Sequence, residues 1–329
     1  MMRIRIWNWI VSAIALLIVI GILHTAFGRD VTFFVAADLH YGQDQAQDNE
    51  QGNKNAIAMM NSLPGTAFPD SGFGKVTAPR GVLVAGDLTN NGTGIQYDGY
   101  SSGKHLFDGL IDDYPVKDGT GAHLHWPVYE GYGNHDVQEQ IGDAVLKGII
   151  QRNACRATPV NTSPNGLHYS WDWDDVHFVN LNVYPGGPGD ARDSLSFLQT
   201  DLADRVGLSA RPVILVQHYG FDQGCTSKYK GKYWWTQAER DALCNVIKGY
   251  NIVAIFTGHS HKSLRFPWNG IPDFVTPKAK GDNNTDGVYV VRILDDKMIV
   301  AQRRLNNTWA NVWKETIKMP ILLAPLNSP

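Results

Sequence analysis

Cysteine is scarce in this chain, with three residues in 329. That excludes a disulfide-stapled scaffold, and Cys155, Cys225 and Cys244 lack the close spacing of a zinc motif. Net charge is also scarce. The 29 Lys and Arg nearly balance the 32 Asp and Glu, leaving a formal charge of -3, so binding of nucleic acid through bulk charge is not expected. Internal repeats, low-complexity runs and Ser/Gly-rich linkers are missing as well. Neither a solenoid nor flexibly joined domains fit that pattern. A hydrophobic fraction of 43% argues against disorder and provides enough material for a large core.

What is present begins with a gap in charge, because no charged residue lies between Arg5 and Arg29. Ile10 to Leu23 is an apolar run flanked by Trp7 and Trp9, residues that favour membrane interfaces. A positive start followed by such a run is the pattern of export. Residues 1–28 are therefore expected to be a signal peptide or an N-terminal membrane anchor. Ala26-Phe27-Gly28 suits cleavage, and residues 7–27 are long enough to span a bilayer, so membrane association depends on which applies. Either route places residues 29–329, read as one catalytic domain, outside the cytoplasm as a periplasmic, secreted or anchored protein. Loss of Arg3 and Arg5 takes the net charge to about -5. In an oxidising compartment Cys225 and Cys244 would close the shorter disulfide loop.

Beyond residue 29, short β-branched runs each end in a polar cluster. Val31–Ala37 leads to Asp38 and His40, and Gly81–Ala85 to Gly86-Asp87. Trp126–Tyr129 leads to Gly133-Asn134-His135-Asp136, Pro212–Val216 to His218, and Ile252–Phe256 to Gly258-His259-Ser260-His261. Continuous apolar runs suit strands buried on both faces. Asn53–Leu63, Ser194–Arg205 and Thr236–Gly249 have helical periodicity, the last opening with a capping-box pattern. Two pairs of runs, 167–173 with 176–184 and 288–294 with 298–304, read as hairpins around Asp pairs. The expected fold class is α/β, layered, with antiparallel additions.

The strand-end residues are of one chemical kind. Asp38, His40, Asp87, Asn134, His218, His259 and His261 offer carboxylate, imidazole and amide donors, the ligands of borderline metals. Seven are too many for one tetrahedral ion and suit two ions sharing a carboxylate. Each cluster alone is weak, since a Gly-Asp or a lone histidine is usually structural. Five in succession at strand ends have no such explanation.

The ordered set Asp38-Leu39-His40, Gly86-Asp87, Gly133-Asn134-His135-Asp136, His218 and Gly258-His259-Ser260-His261 resembles the calcineurin-like metallophosphoesterases. The resemblance covers roughly residues 31–304. It implies a β-sandwich flanked by α-helices, with a dinuclear site at the strand ends. By that resemblance Asp38, His40 and His261 hold one ion, Asn134, His218 and His259 the second, and Asp87 bridges them. The ions are two divalent or mixed-valence metals, Mn, Fe or Zn. His135 is the implied catalytic contact to substrate and acid for the leaving group, with Asp136 beside it as its orienter. The purple acid phosphatase branch carries a tyrosine three positions after the bridging aspartate and lacks the histidine of the first block. Asn90 and His40 stand at those places here.

The implied activity is hydrolysis of a phosphate-ester substrate by a hydroxide that bridges the two metals, without a covalent intermediate. Monoesters and diesters both fit. A second reading is a membrane-anchored, non-catalytic binding protein for a phosphate ligand on the same scaffold, which missing ligands would support. Residues 219–235 mix Lys228, Lys230 and Lys232 with Tyr229, Tyr233, Trp234 and Trp235. Such a loop can stack on an aromatic ring, although packing of its aromatics on the core is the simpler reading.

Overall fold

In a computed structural model the described residues are 28–43, 50–90, 92, 110–137, 144–156, 158–186, 193–224 and 231–317. The export or anchor segment thus lies, except for Gly28, outside the described residues, as do Cys225 and residues 226–230 of the aromatic loop. Among the described residues no helix is long and apolar enough to cross a membrane.

The strands, in chain order, are β1 (Val31–Ala36), β2 (Val82–Ala85), β3 (Val128–Gly131), β4 (Asn161–Thr162), β5 (Tyr169–Trp173), β6 (Val176–Asn180) and β7 (Val213–Val216). They continue with β8 (Ile252–Thr257), β9 (Leu264–Trp268), β10 (Ile271–Val275), β11 (Gly287–Ile293), β12 (Lys297–Arg304) and β13 (Trp309–Thr316). They form two mixed sheets, ordered β13-β12-β11-β1-β2-β3 and β4-β5-β6-β7-β8-β10-β9. The runs β1-β2-β3 and β6-β7-β8-β10 are parallel.

The two sheets pack face to face. Along β1, Val31, Phe33 and Val35 point into the core between the sheets, while Phe34 and Ala36 point out beneath helices. That alternation explains why the strand reads as an unbroken apolar run. Phe33, Trp171, Trp173, Phe178, Phe256 and Phe274 fill the space between the sheets, with Phe33 edge-on to Phe178 and Phe256 at 5.4 and 5.8 Å. Helices α1 (Gln51–Ser62) and α2 (Ala144–Cys155) cover the outer face of the first sheet. Helices α3 (Leu195–Asp201) and α4 (Gln237–Ile247) cover the second. Helix α4 opens with the expected capping box between Thr236 and Glu239, and α3 widens into a π-helical turn over Leu202–Val206.

The layered α/β class and the flanked β-sandwich match the expectation, and the structure adds elements to it. Helix α2, the β9–β10 hairpin, the edge strands β4 and β13 and a 3-10 turn at Ser71–Phe73 were not foreseen. The hairpin turns at Asn269-Gly270, both with positive φ, the two-residue turn that Asn-Gly specifies. Pro267 and Pro272, which pair across it, weaken its appearance as a strand pair.

Parallel order places the C-terminal ends of β1, β2 and β3 on one edge, next to those of β7 and β8. Arg29 marks the opposite pole. Its guanidinium lies 2.7 Å from Asp175 Oδ1 and donates to the carbonyl of Asp295, and its main-chain N–H donates to the Asp295 side chain. Both acceptors sit in hairpin turns at the far end of the sheets.

On the second sheet His177 is buried between two carboxylates, 2.7 Å from Asp172 Oδ1 and 2.7 Å from Asp201 Oδ2. Burial opposes its charge, but the two hydrogen-bonded carboxylates win and raise its pKa. Asp172 is lowered against burial by His177 and Arg211. A raised histidine stabilises the fold below its unfolded value and loses that contribution as pH rises through the folded value. A lowered aspartate loses its contribution as pH falls through its own folded value. The cluster should therefore contribute most between about pH 4 and 6.5. His177→Gln should lower the Tm clearly at pH 6, and the gap to the native chain should narrow by pH 9 in thermal melts; a constant gap would show that the charge is immaterial.

Candidate metal centre

Each expected ligand lies within four residues after a strand end, and the chain must turn sharply there. Asp38, His40, Asp87, His259 and His261 all have left-handed backbone, with φ of 56, 43, 51, 67 and 54°. That conformation costs a non-glycine residue roughly 1 kcal/mol or more. Hydrogen bonds between loops hold it in place. Asp38 N donates to Gly86 O, His40 N to Asp87 O and Tyr41 N to Leu88 O, each at 3.0 Å. Gly258 N donates to His218 O at 3.0 Å.

Close approach makes the glycines necessary. A Cβ on Gly86, where φ is 84°, would lie 2.5 Å from His218 Nδ1, and one on Gly133 would lie 2.2 Å from Asp87 Oδ1.

The side chains converge on one another. His261 Nε2 lies 3.2 Å from Asp38 Oδ1 and 3.1 Å from His40 Nε2. His218 Nε2 lies 3.2 Å from Asp87 Oδ2 and 3.0 Å from Asn134 Oδ1. Donor atoms fall into three groups whose members lie within 4.8 Å of one another: Asp38, His40 and His261; His40, Asp87 and His135; and Asp87, His218 and His259. His40 and Asp87 each belong to two groups, and of the two only Asp87 is a carboxylate with two oxygens to share between ions. Asp38, His40, Asp87 and His218 are almost wholly buried, whereas the His261 side chain is 40% exposed.

Burial pushes His40 down to about 3, with Asp87 opposing and the nearby histidines reinforcing the shift. Burial and the neighbouring His218 do the same to His259, also to about 3. Both imidazoles are thus neutral, the form that binds a cation. Burial would lower His218 too, but the carboxylate of Asp87 raises it to about 9. Asp87 is held low, against burial, by His218 and His40. His40 Nδ1 is buried and has no hydrogen-bond partner among the described residues. Facing imidazole nitrogens, buried carboxylates and an amide oxygen form a donor set that fits borderline metal ions.

His135 also lies in this cluster, half-buried, with its main-chain N–H 2.9 Å from Asp87 Oδ1. Its ring Nδ1 is 2.9 Å from the carbonyl of Asn90, which leaves Nε2 as the nitrogen to meet a substrate. The orienter expected at Asp136 is therefore corrected. Asp136 is buried and accepts from Gly133 N, Leu88 N, Thr89 N and Thr89 Oγ1 at 2.8 to 3.0 Å. Four donors occupy its two oxygens, so it clasps the Asp87 loop to the Asn134 loop, and a backbone carbonyl orients the ring.

Asn182 was not foreseen. With φ of 59°, it accepts Tyr132 N on its side chain and His218 N on its carbonyl. Its only signal in the sequence is its place just beyond β6. His123 and His125 engage Asp113 and the carbonyl of Gly121.

The family model described as calcineurin-like phosphoesterase matches residues 31–263. The chain belongs to that family. Purple acid phosphatase 23 of Arabidopsis thaliana is 24% identical over 196 residues, covering 56% of this chain and 41% of that protein. The chain thus spans about two fifths of the length of that relative. Three solved structures share the phosphoesterase fold. PhoD is 14% identical with a TM-score of 0.55, over 88% of this chain and 72% of that one. Purple acid phosphatase PPD1 from yellow lupin, Lupinus luteus, is also 14% identical with a TM-score of 0.55, over 88% and 54%. GAP50, the anchor in the inner membrane complex of Plasmodium, is 9% identical with a TM-score of 0.51, over 91% and 92%.

Asp136→Ala strips three backbone N–H groups and a hydroxyl of their acceptor in a buried loop. It should destabilise the protein by about 3 kcal/mol, visible in a urea titration. An unchanged midpoint with only turnover reduced would restore the direct orienting role.

Proposed function

We propose that this phosphoesterase hydrolyses phosphate esters outside the cytoplasm, using two metal ions held by Asp38, His40 and His261 and by Asn134, His218 and His259, with Asp87 shared. The observation that carries the reading is the series of overlapping donor groups, joined at His40 and at the carboxylate of Asp87, which extends over more donors than a single ion takes. Bound there, the ions would supply Lewis acidity and activated water. The protein's own part is orientation. Asp87 fixes the His135 main chain, and the Asn90 carbonyl fixes its ring. Nε2 is left to bind a phosphoryl oxygen or deliver a proton to the departing oxygen.

Non-catalytic binding on the same scaffold is the weaker reading, because no member of the expected ligand set is missing. Residues 1–28 are read as an export segment or anchor. Since Arg29 is clamped at the pole opposite the metal centre, an anchored protein would turn its site away from its own bilayer. That favours soluble esters over head groups of the host membrane.

The test is elemental analysis together with hydrolysis of p-nitrophenyl phosphate and bis-p-nitrophenyl phosphate. About two transition-metal ions per chain and turnover of at least one ester are expected, both lost in Asp87→Ala. Neither metal nor turnover after Mn or Fe supplementation would sink the enzyme reading.

His135→Ala should keep its metal but lose turnover by about a hundredfold or more on alkyl phosphates, and less on p-nitrophenyl phosphate, whose leaving group needs no proton. Equal losses across leaving groups would argue against proton delivery by His135.

A further inference from the structure

The loop after His218 places two adjacent tryptophans in different settings. Trp235 is buried against Phe221 and Tyr184, with ring centroids at 5.0 and 5.4 Å, and its indole N–H donates to Gly220 O at 2.9 Å. It accounts for the packing of this loop on the core. Trp234 is only partly buried and its ring meets that of His259 edge to face, with centroids 4.1 Å apart. Tyr219, also partly buried, lies 4.6 Å from the same imidazole and stacks on Tyr184 at 5.4 Å.

Trp234 is held in orientation. Its indole N–H is 3.3 Å from Oδ1 of Asp222, a buried carboxylate whose Oδ2 accepts the Ser260 hydroxyl at 2.5 Å. Ser260 lies between His259 and His261. A buried carboxylate therefore ties the angle of a partly exposed indole to the Ser260 side chain in the metal loop. Trp234 and Tyr219 also pack against the core of the second sheet, and the hydrogen bond to Asp222 fixes the indole at an angle suited to a preformed recognition surface.

We propose that Trp234 and Tyr219 form an aromatic wall beside His259 that selects phosphate esters bearing a planar aromatic group, as nucleoside and aryl phosphates do. The inference rests on the hydrolase reading and adds a substrate class to it. A flat ring esterified to a phosphate at the metal centre lies within reach of this wall, and stacking on an indole or phenol face is indifferent to ring substituents. Trp234 is a specificity-determining residue here and takes no part in bond cleavage.

The test compares kcat/KM for adenosine 5'-phosphate, p-nitrophenyl phosphate and glycerol 1-phosphate in the full chain and in Trp234→Ala. A loss of about tenfold is expected on one or both aromatic esters, mainly through KM, with less than about threefold on glycerol phosphate. A loss confined to the nucleotide identifies the nucleobase as the ligand; a loss on both identifies any planar ring. Trp234→Phe, which keeps an aromatic face, should restore most of the selectivity and controls for misfolding. Calorimetry with the non-hydrolysable phosphonate analogue of adenosine phosphate and with methylphosphonate gives a readout independent of turnover. Trp234→Ala should weaken only the former. Equal losses on all three esters, or none, overturn the wall. A native chain that binds both phosphonates but cleaves no ester overturns the hydrolase reading and leaves the wall intact.

Discussion

Buried strands end and the chain reverses within one or two residues, and the centre depends on that constraint. A strand sends successive side chains to opposite faces, so extended backbone alone cannot aim five strand ends at one point. After β1, β2 and β8, left-handed residues solve this by turning the chain where the ladder stops. The five positive-φ residues at Asp38, His40, Asp87, His259 and His261 are individually unfavourable and are kept by their neighbours. Main-chain bonds between the first and second loops and the four-donor clasp of Asp136 over-determine the geometry. Strain of this kind persists only where the surroundings enforce it.

The distance across the centre is set from below. Asp38, His40, Asp87 and Asn134 follow strands of the first sheet, while His218, His259 and His261 follow strands of the second. The aromatic layer between the sheets fixes how far apart these two edges lie. Helices on the outer faces then close the sandwich. A family fold by itself does not decide an activity. The particular side chains at the strand ends distinguish one use of the scaffold from another.

Much of this was legible in the residues. Buried strands showed as unbroken apolar runs, the α4 capping box as Thr236 with Glu239, and the donor set as polar clusters that follow those runs. Other parts were hidden for identifiable reasons. The β9–β10 pair carries Pro267 and Pro272, which mask its pattern even though Asn269-Gly270 announces the turn. Asp136 stands beside His135 in the chain, and adjacency suggested a partnership that the fold does not make. The true partner of the ring is the Asn90 carbonyl, and a main-chain atom leaves no trace in residue identity.

The sequence by itself determined which chemical groups are available and in what order, because ligand chemistry depends on residue type and strands on hydrophobic pattern. The tertiary structure decided which groups meet. It gave Asp136 to the backbone and the His135 ring to Asn90, and it divided Trp234 from Trp235 between a wall and the core. Those outcomes depend on distances of a few ångströms across loops far apart in the chain, where hydrogen-bond geometry and burial act and periodicity carries no information.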